Sequence, residues 1–220
     1  MEDRNELLKF TIPQLLRWRV GQTGDKVALR EKDFGYWNNY TWNDFYNHVR
    51  KIALGLEKVG VQKGDKLALI GDNIPEMIFM AIGAQSIRAV SAGIYQTTLP
   101  DEIAQLIEYM DVTTVFCDDQ EQVDKLVEIR DRIPQVRRVI YEDPRGMRGY
   151  RSDDWFLFIE DLYALGEAIH AEHPGKFDEL IDQAGNVDAA DQADAAGDGS
   201  HRTLLGRVVR VRSGCSRRPF

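Results

Sequence analysis

Residues 64–85 read GDKLALIGDNIPEMIFMAIGAQ. A GDK turn leads into the apolar run Leu67–Ile70, a second turn follows at Gly71, and Pro75 opens a helix. Strand, tight turn and helix is the layout in which many proteins hold a phosphate on the backbone N–H groups of a helix start. Such a loop needs several glycines so that those groups can approach the anion. GDNIPE has one glycine and two acids, Asp72 and Glu76, that repel an anion. Asp72 or Asn73 suits a helix cap instead. The turn therefore reads as scaffold. Leu67, Leu69 and Ile70 are expected in a strand buried on both faces, covered by the helix through Ile78 and Ile82.

Upstream, Thr11 and Pro13 start a short helix, and VALRE and YWNNYTW flank KDFG as a hairpin. Thr41 opens a longer helix with Asp44 as the acid of a capping box. Phe45, Val49, Ile52, Leu56 and Val59 form its buried stripe, and Gly60 ends it. Downstream, RAVSAGIY is a strand, and TTLPDEIAQLIEYM is a helix with Ile103, Leu106, Ile107 and Met110 on one face. TTVFCDD is a strand, EQVDKLVEIRDRIP a helix stopped by Pro134, and RRVIYED another strand. From Lys66 to Asp143 strands and helices alternate. Alternation of that kind makes right-handed crossovers, so the predicted class is α/β: a mostly parallel sheet with helices on both faces, preceded by the hairpin.

The chain has 220 residues, 43% hydrophobic and 29% charged, which fits a globular protein with one substantial core. Its net charge of -8 argues against a nucleic-acid partner, because phosphate contacts need a basic surface. Cys117 and Cys215, far apart, make neither a disulfide framework nor a cysteine zinc site, and fit a reducing cytoplasm. The acidic start MEDRNELLKF lacks the pattern of a secretory signal. The longest apolar region, residues 74–94, is broken by Glu76, Gln85 and Arg88 and is too polar to span a bilayer. Near residue 185 the composition changes. GNVDAADQADAAGDG is acidic and of low complexity, and RTLLGRVVRVRSGCSRRPF carries six arginines with no lysine and no acid. The boundaries predicted are a partial domain over 1–185 and a disordered tail over 186–220, whose abrupt Ala, Asp, Gly and then Arg usage is what a shifted reading frame in GC-rich DNA gives.

Candidate chemistry is sparse. His170 and His173 sit three apart with no third partner, short of a zinc site, and His48 is expected on the surface. The pairs Asp118–Asp119 and Asp153–Asp154 suit turns and caps, whereas a general acid/base pair converges from separate elements. Ser86, Ser91 and Cys117 lack a nucleophile-elbow context, and Cys117 closes an apolar strand as a core residue. No catalytic, cofactor-binding or metal residue is assigned.

With these elements placed, the stretch resembles the N-terminal region of AMP-forming long-chain acyl-CoA synthetases over residues 7–183. The resemblance rests on KGDKLALIGDNIPE, AVSAGIYQTTLPDEI, the DDQEQVDKLVEIRD run and VIYEDPRGMRGY in combination. It implies part of the N-terminal domain of the adenylate-forming fold. It also implies a full-length parent that joins a fatty acid to coenzyme A through an acyl-adenylate, using ATP and magnesium. That family's Thr/Ser/Gly-rich phosphate loop ends in Pro-Lys and is expected soon after HPGKFDELIDQ, where this chain gives QADAAGDGSHRTLLGRV. The ribose-binding acid, the magnesium-side glutamate and the mobile domain with its catalytic lysine are expected later still. The expectation is thus a fragment that binds no cofactor and is inactive alone. The alternative is a non-catalytic interaction or dimerisation module with a basic tail. Homodimerisation and peripheral membrane contact at a cytoplasmic location are compatible with either.

Overall fold

The first two helices begin where side chains satisfy orphan N–H groups. Thr11 and Gln14 form a reciprocal capping box at the head of α1, Ile12–Thr23. Thr41 and Asp44 do the same for α2, Trp42–Lys58, with Thr41 N–H donating to Asp44 Oδ2 at 2.8 Å and Asp44 N–H to Thr41 Oγ1 at 3.1 Å. Between them lies the predicted hairpin, β1 (Val27–Asp33) paired antiparallel with β2 (Tyr36–Thr41). The computed structural model describes Leu7 and residues 9–33 and 35–184. These belong to the first of two units, Met1–Asn186, and the predicted tail lies outside the described residues.

The second half alternates as predicted: β3 (Lys66–Ile70), α3 (Pro75–Ser86), β4 (Val90–Ile94), α4 (Pro100–Met110), β5 (Val112–Cys117), α5 (Gln120–Glu128) and β6 (Arg138–Tyr141). Three elements follow, β7 (Phe156–Phe158), α6 (Ile159–Glu172) and α7 (Lys176–Gln183). The five strands pair in parallel in the order β4-β3-β5-β6-β7. Side chains alternate across the sheet. Leu67, Leu69, Phe116 and Ile140 enter one core with Val49, Ile52, Phe79 and Leu162 from α2, α3 and α6. Ala68, Ile70, Val115, Cys117 and Val139 enter the other with Ile103, Ile107, Val123 and Leu126 from α4 and α5. The result is three layers, helices on both faces of a parallel sheet.

Three expectations needed correction. α3 turns Phe79, Met80, Gly83 and Ala84 inward, while Ile78 is exposed and Ile82 half-buried, because Gly83 must sit against Ile52 of α2. The cap of α3 is Ile74, without a side-chain hydrogen bond, so neither Asp72 nor Asn73 caps it. On α4, Leu106 faces outward while Ile103, Ala104 and Ile107 are buried.

α2 and α6 approach until backbone meets backbone. A Cβ added at Gly166 would lie 1.9 Å from the Lys51 carbonyl oxygen, and one at Gly55 would lie 2.5 Å from that of Leu162. Glycine weakens a helix interior, and here it is what lets the helices cross so closely. Gly166→Ala is expected to destabilise the protein by about 1–3 kcal/mol through forced separation of α2 and α6, against the ~1 kcal/mol gained in helix propensity. A urea unfolding midpoint unchanged or raised in the variant would show that the close crossing carries no such constraint.

Candidate functional site at the carboxyl ends of the strands

β3 is followed by α3 on one face of the sheet and β5 by α5 on the other. The two chains part there, and open α/β folds bind ligands in the crevice at such a switch point. In this protein the crevice is occupied by the chain's own Asp118. Its Oδ2 accepts the Asp72 N–H at 2.7 Å, and its own N–H donates to the Ile70 carbonyl at 3.3 Å. Gly71, at φ +154°, makes room: a Cβ there would lie 2.4 Å from the Asp118 carboxyl carbon. Asp118 is 8% exposed, and its Oδ1 is buried with no hydrogen-bond partner. Burial pushes its carboxyl upward, while the Asp72 N–H acts in the opposite sense.

The rim extends this network. Asp72 Oδ1 accepts from Gln96 Nε2 at 2.6 Å. Lys125 Nζ donates to the Gln96 carbonyl at 2.5 Å and to Gln122 Oε1 at 3.1 Å, and pairs with Glu121 at 2.9 Å. Asp119 caps α5 by accepting the Gln122 N–H at 3.1 Å, as its position beside a helix start implied. Glu142, after β6, is pushed up to about 7 by burial first and then by Glu76, Asp143, Glu31 and Asp118. Glu76 is raised by burial, and Tyr40 is pushed up to about 12 by burial and then by Glu76 and Glu31. Glu31, Glu76, Asp118, Glu142 and Asp143 thus crowd carboxyl groups along this rim. Among the described residues no group of three or more His, Cys, Asp and Glu is placed to hold a metal ion. Chemically, the crevice is a closed polar clasp between β3 and β5.

The other candidates are scattered. His48 is not a surface residue: it stacks on Phe79 at 4.7 Å between ring centroids, and its Nδ1 lies 3.2 Å from the Tyr163 hydroxyl. Burial lowers its pKa. The signal was available, since His48 lies three residues after Phe45 and four before Ile52, within the buried stripe. Cys117 is fully buried, and burial pushes its thiol upward. Ser86 donates to the Ile82 carbonyl at 2.8 Å, and Ser91 Oγ accepts from Gln85 Nε2 at 3.3 Å. Asp153 pairs with Arg130 and accepts the Trp155 N–H at 2.9 Å. His170 lies on α6, with Nδ1 buried and unpartnered, and His173 follows as the helix ends.

The model of the family described as AMP-binding enzyme matches residues 16–170, well over half of the chain. The chain belongs to the AMP-binding enzyme family. A long-chain-fatty-acid–CoA ligase of Bos taurus is 31% identical over 164 residues, 74% of this chain and 22% of its own length. One of Rattus norvegicus is 26% identical over 176 residues, 80% of this chain and 23% of its own. The chain thus spans about a quarter of the length of the curated relatives it matches. Two solved structures share the fold. An anthranilate CoA ligase in complex with anthranoyl-AMP gives a TM-score of 0.62 at 18% identity, covering 71% of this chain and 28% of its own. A structure named as a putative long-chain-fatty-acid CoA ligase from Rhodopseudomonas palustris gives 0.59 at 22%, covering 71% and 37%. Among the described residues no helix is long and apolar enough to cross a membrane.

Two outcomes test the clasp. Gly71→Ala should destabilise the protein by about 1–3 kcal/mol, because the methyl group displaces the Asp118 carboxylate. Asp118→Ala, made in the Gly71→Ala background, should then add much less than it costs alone, and strictly additive losses would separate the two residues. Glu142 gives the pH test. Its folded pKa of about 7 exceeds the ordinary 4.5, so the native state holds the proton across that window. Its contribution is fully present below the ordinary value and lost as pH rises through about 7. Glu142→Gln should therefore raise stability at pH 8 by about 1–2 kcal/mol, discounted for partial exposure, and leave it nearly unchanged at pH 4. Equal effects at both pH values would contradict the burial argument.

Proposed function

We propose that this chain is the scaffold portion of an ATP-dependent long-chain fatty acid–CoA ligase and forms no acyl-adenylate by itself. The observation that carries the proposal is the family match over residues 16–170, joined to long-chain relatives up to 31% identical. In the full-length ligase a fatty carboxylate is joined to AMP with loss of pyrophosphate, and the coenzyme A thiol then displaces AMP to give the thioester. Magnesium would accompany the phosphates there. The carboxyl-end crevice of this chain supports the limit on its own activity. Its Asp72 N–H, a donor that an anion would need, is already taken by Asp118. The chain supplies a buried parallel sheet against which a separate phosphate-binding segment would be held.

The test has two arms. Purified chain, mixed with palmitate, ATP and magnesium, is expected to release no pyrophosphate above a protein-free control, and millimolar ATP is expected to leave its Tm unchanged. A chimaera in which residues 16–170 replace the matching stretch of the bovine ligase is expected to retain fatty-acid-dependent pyrophosphate release. Release by the isolated chain would overturn the scaffold role. A folded chimaera without activity would overturn the long-chain ligase assignment.

A further inference from the structure

The ribbon β1–β2 forms a sheet of its own, and among the described residues neither of its outer edges has a strand partner. The two edges differ in chemistry. β1 carries Arg30, Glu31 and Lys32 in succession, charged side chains of the kind that discourage another chain from pairing. β2 reads YWNNYT, with strong strand formers, no charge and no proline. Its pairing runs unbroken from Tyr36 to Tyr40, while the irregularity of the ribbon lies between Val27 and Leu29. Tyr36 through Asn39 are exposed, Tyr36 at 79% and Trp37 at 61%. Leu29 and Tyr40 pack toward the first core, so Trp37 and Asn39, with Lys32 and Arg30 across from them, lie on the outward side.

We propose that the free edge of β2 pairs antiparallel with β2 of a second copy of this chain, joining two ribbons into one four-stranded sheet. A two-fold axis normal to the sheet keeps paired residues on the same face, so the register centres on a residue. Centred on Asn38, it sets that residue against its own counterpart, Trp37 against Asn39 of the second copy, and Tyr36 against Tyr40 of the second copy. Symmetry brings each side chain of β2 near its own kind, so a charged strand would repel itself, and this one carries no charge. The pairing also closes on itself. Each outer edge of the joined sheet is then a β1 strand, guarded by its run of charged residues, and growth stops at two copies. A two-stranded ribbon is marginal alone, and four strands give each β2 a partner on both sides.

The experiment uses the full 220-residue chain. Sedimentation equilibrium across micromolar concentrations is expected to show a monomer–dimer transition. Hydrogen exchange should slow in β2 as dimer forms, with no change in β4, an edge strand of the larger sheet. Asn38→Lys places two ammonium groups face to face and should weaken the dimer at least about tenfold. Asn38→Thr, uncharged and strand-favouring, should preserve it, and circular dichroism checks that both variants fold. The proposal is overturned by a monomer at every concentration, by β2 exchange independent of concentration, by an Asn38→Lys variant that dimerises as the wild type does, or by assembly beyond two copies.

Discussion

The fold hangs on one strand that has no free side. β3 pairs with β4 on one side and β5 on the other, and Leu67, Ala68 and Ile70 are fully buried. Every backbone polar group of that strand must find its partner in a neighbouring strand, since water cannot reach it. Its side chains must be apolar on both faces, which is why KLALI shows a run and not an alternation. Everything else covers it. α2, α3 and α6 close one face, and α4 and α5 close the other. The glycines at 55 and 166 let α6 press onto α2 instead of standing off from it.

Much of this was legible in the sequence because burial leaves periodic marks. The stripe Phe45, Val49, Ile52 and Leu56, the Thr11 cap and the capping box at Thr41 are local patterns, and local patterns survive in one dimension. The misreadings share a physical origin. Ile78 is apolar and correctly spaced for a helix face, yet it points outward, because α3 is rotated to lay Gly83 against Ile52. Rotation of that kind is decided by a neighbouring helix, not by the helix itself. β7, three residues long, is too short to show any period.

The candidate site was legible in part. The expectation that GDNIPE is scaffold rests on charge and on its single glycine, both readable locally. What Asp72 does instead was not readable, because its partners Gln96 and Asp118 lie 24 and 46 residues away along the chain. His48 shows the same limit in milder form. It was expected on the surface although its helical spacing from Phe45 and Ile52 sets it beside the buried stripe, and the Phe79 and Tyr163 rings that enclose it come from two other helices.

Asp118 gives the backbone donor at the switch point a partner from within the chain. Backbone N–H groups at the end of a parallel strand need an acceptor, and water or an anion serves when the turn is open. Here the acceptor is a carboxylate of the adjacent strand, placed within reach by the parallel register of Ile70 with Cys117. The arrangement is self-consistent only with glycine at position 71, since any side chain would push that carboxylate out. Beside it, Glu76 and Glu142 carry raised pKa values, with burial the first cause at each. A strand that must be covered on every side thus ends in a turn that its neighbour seals through the Asp72 N–H.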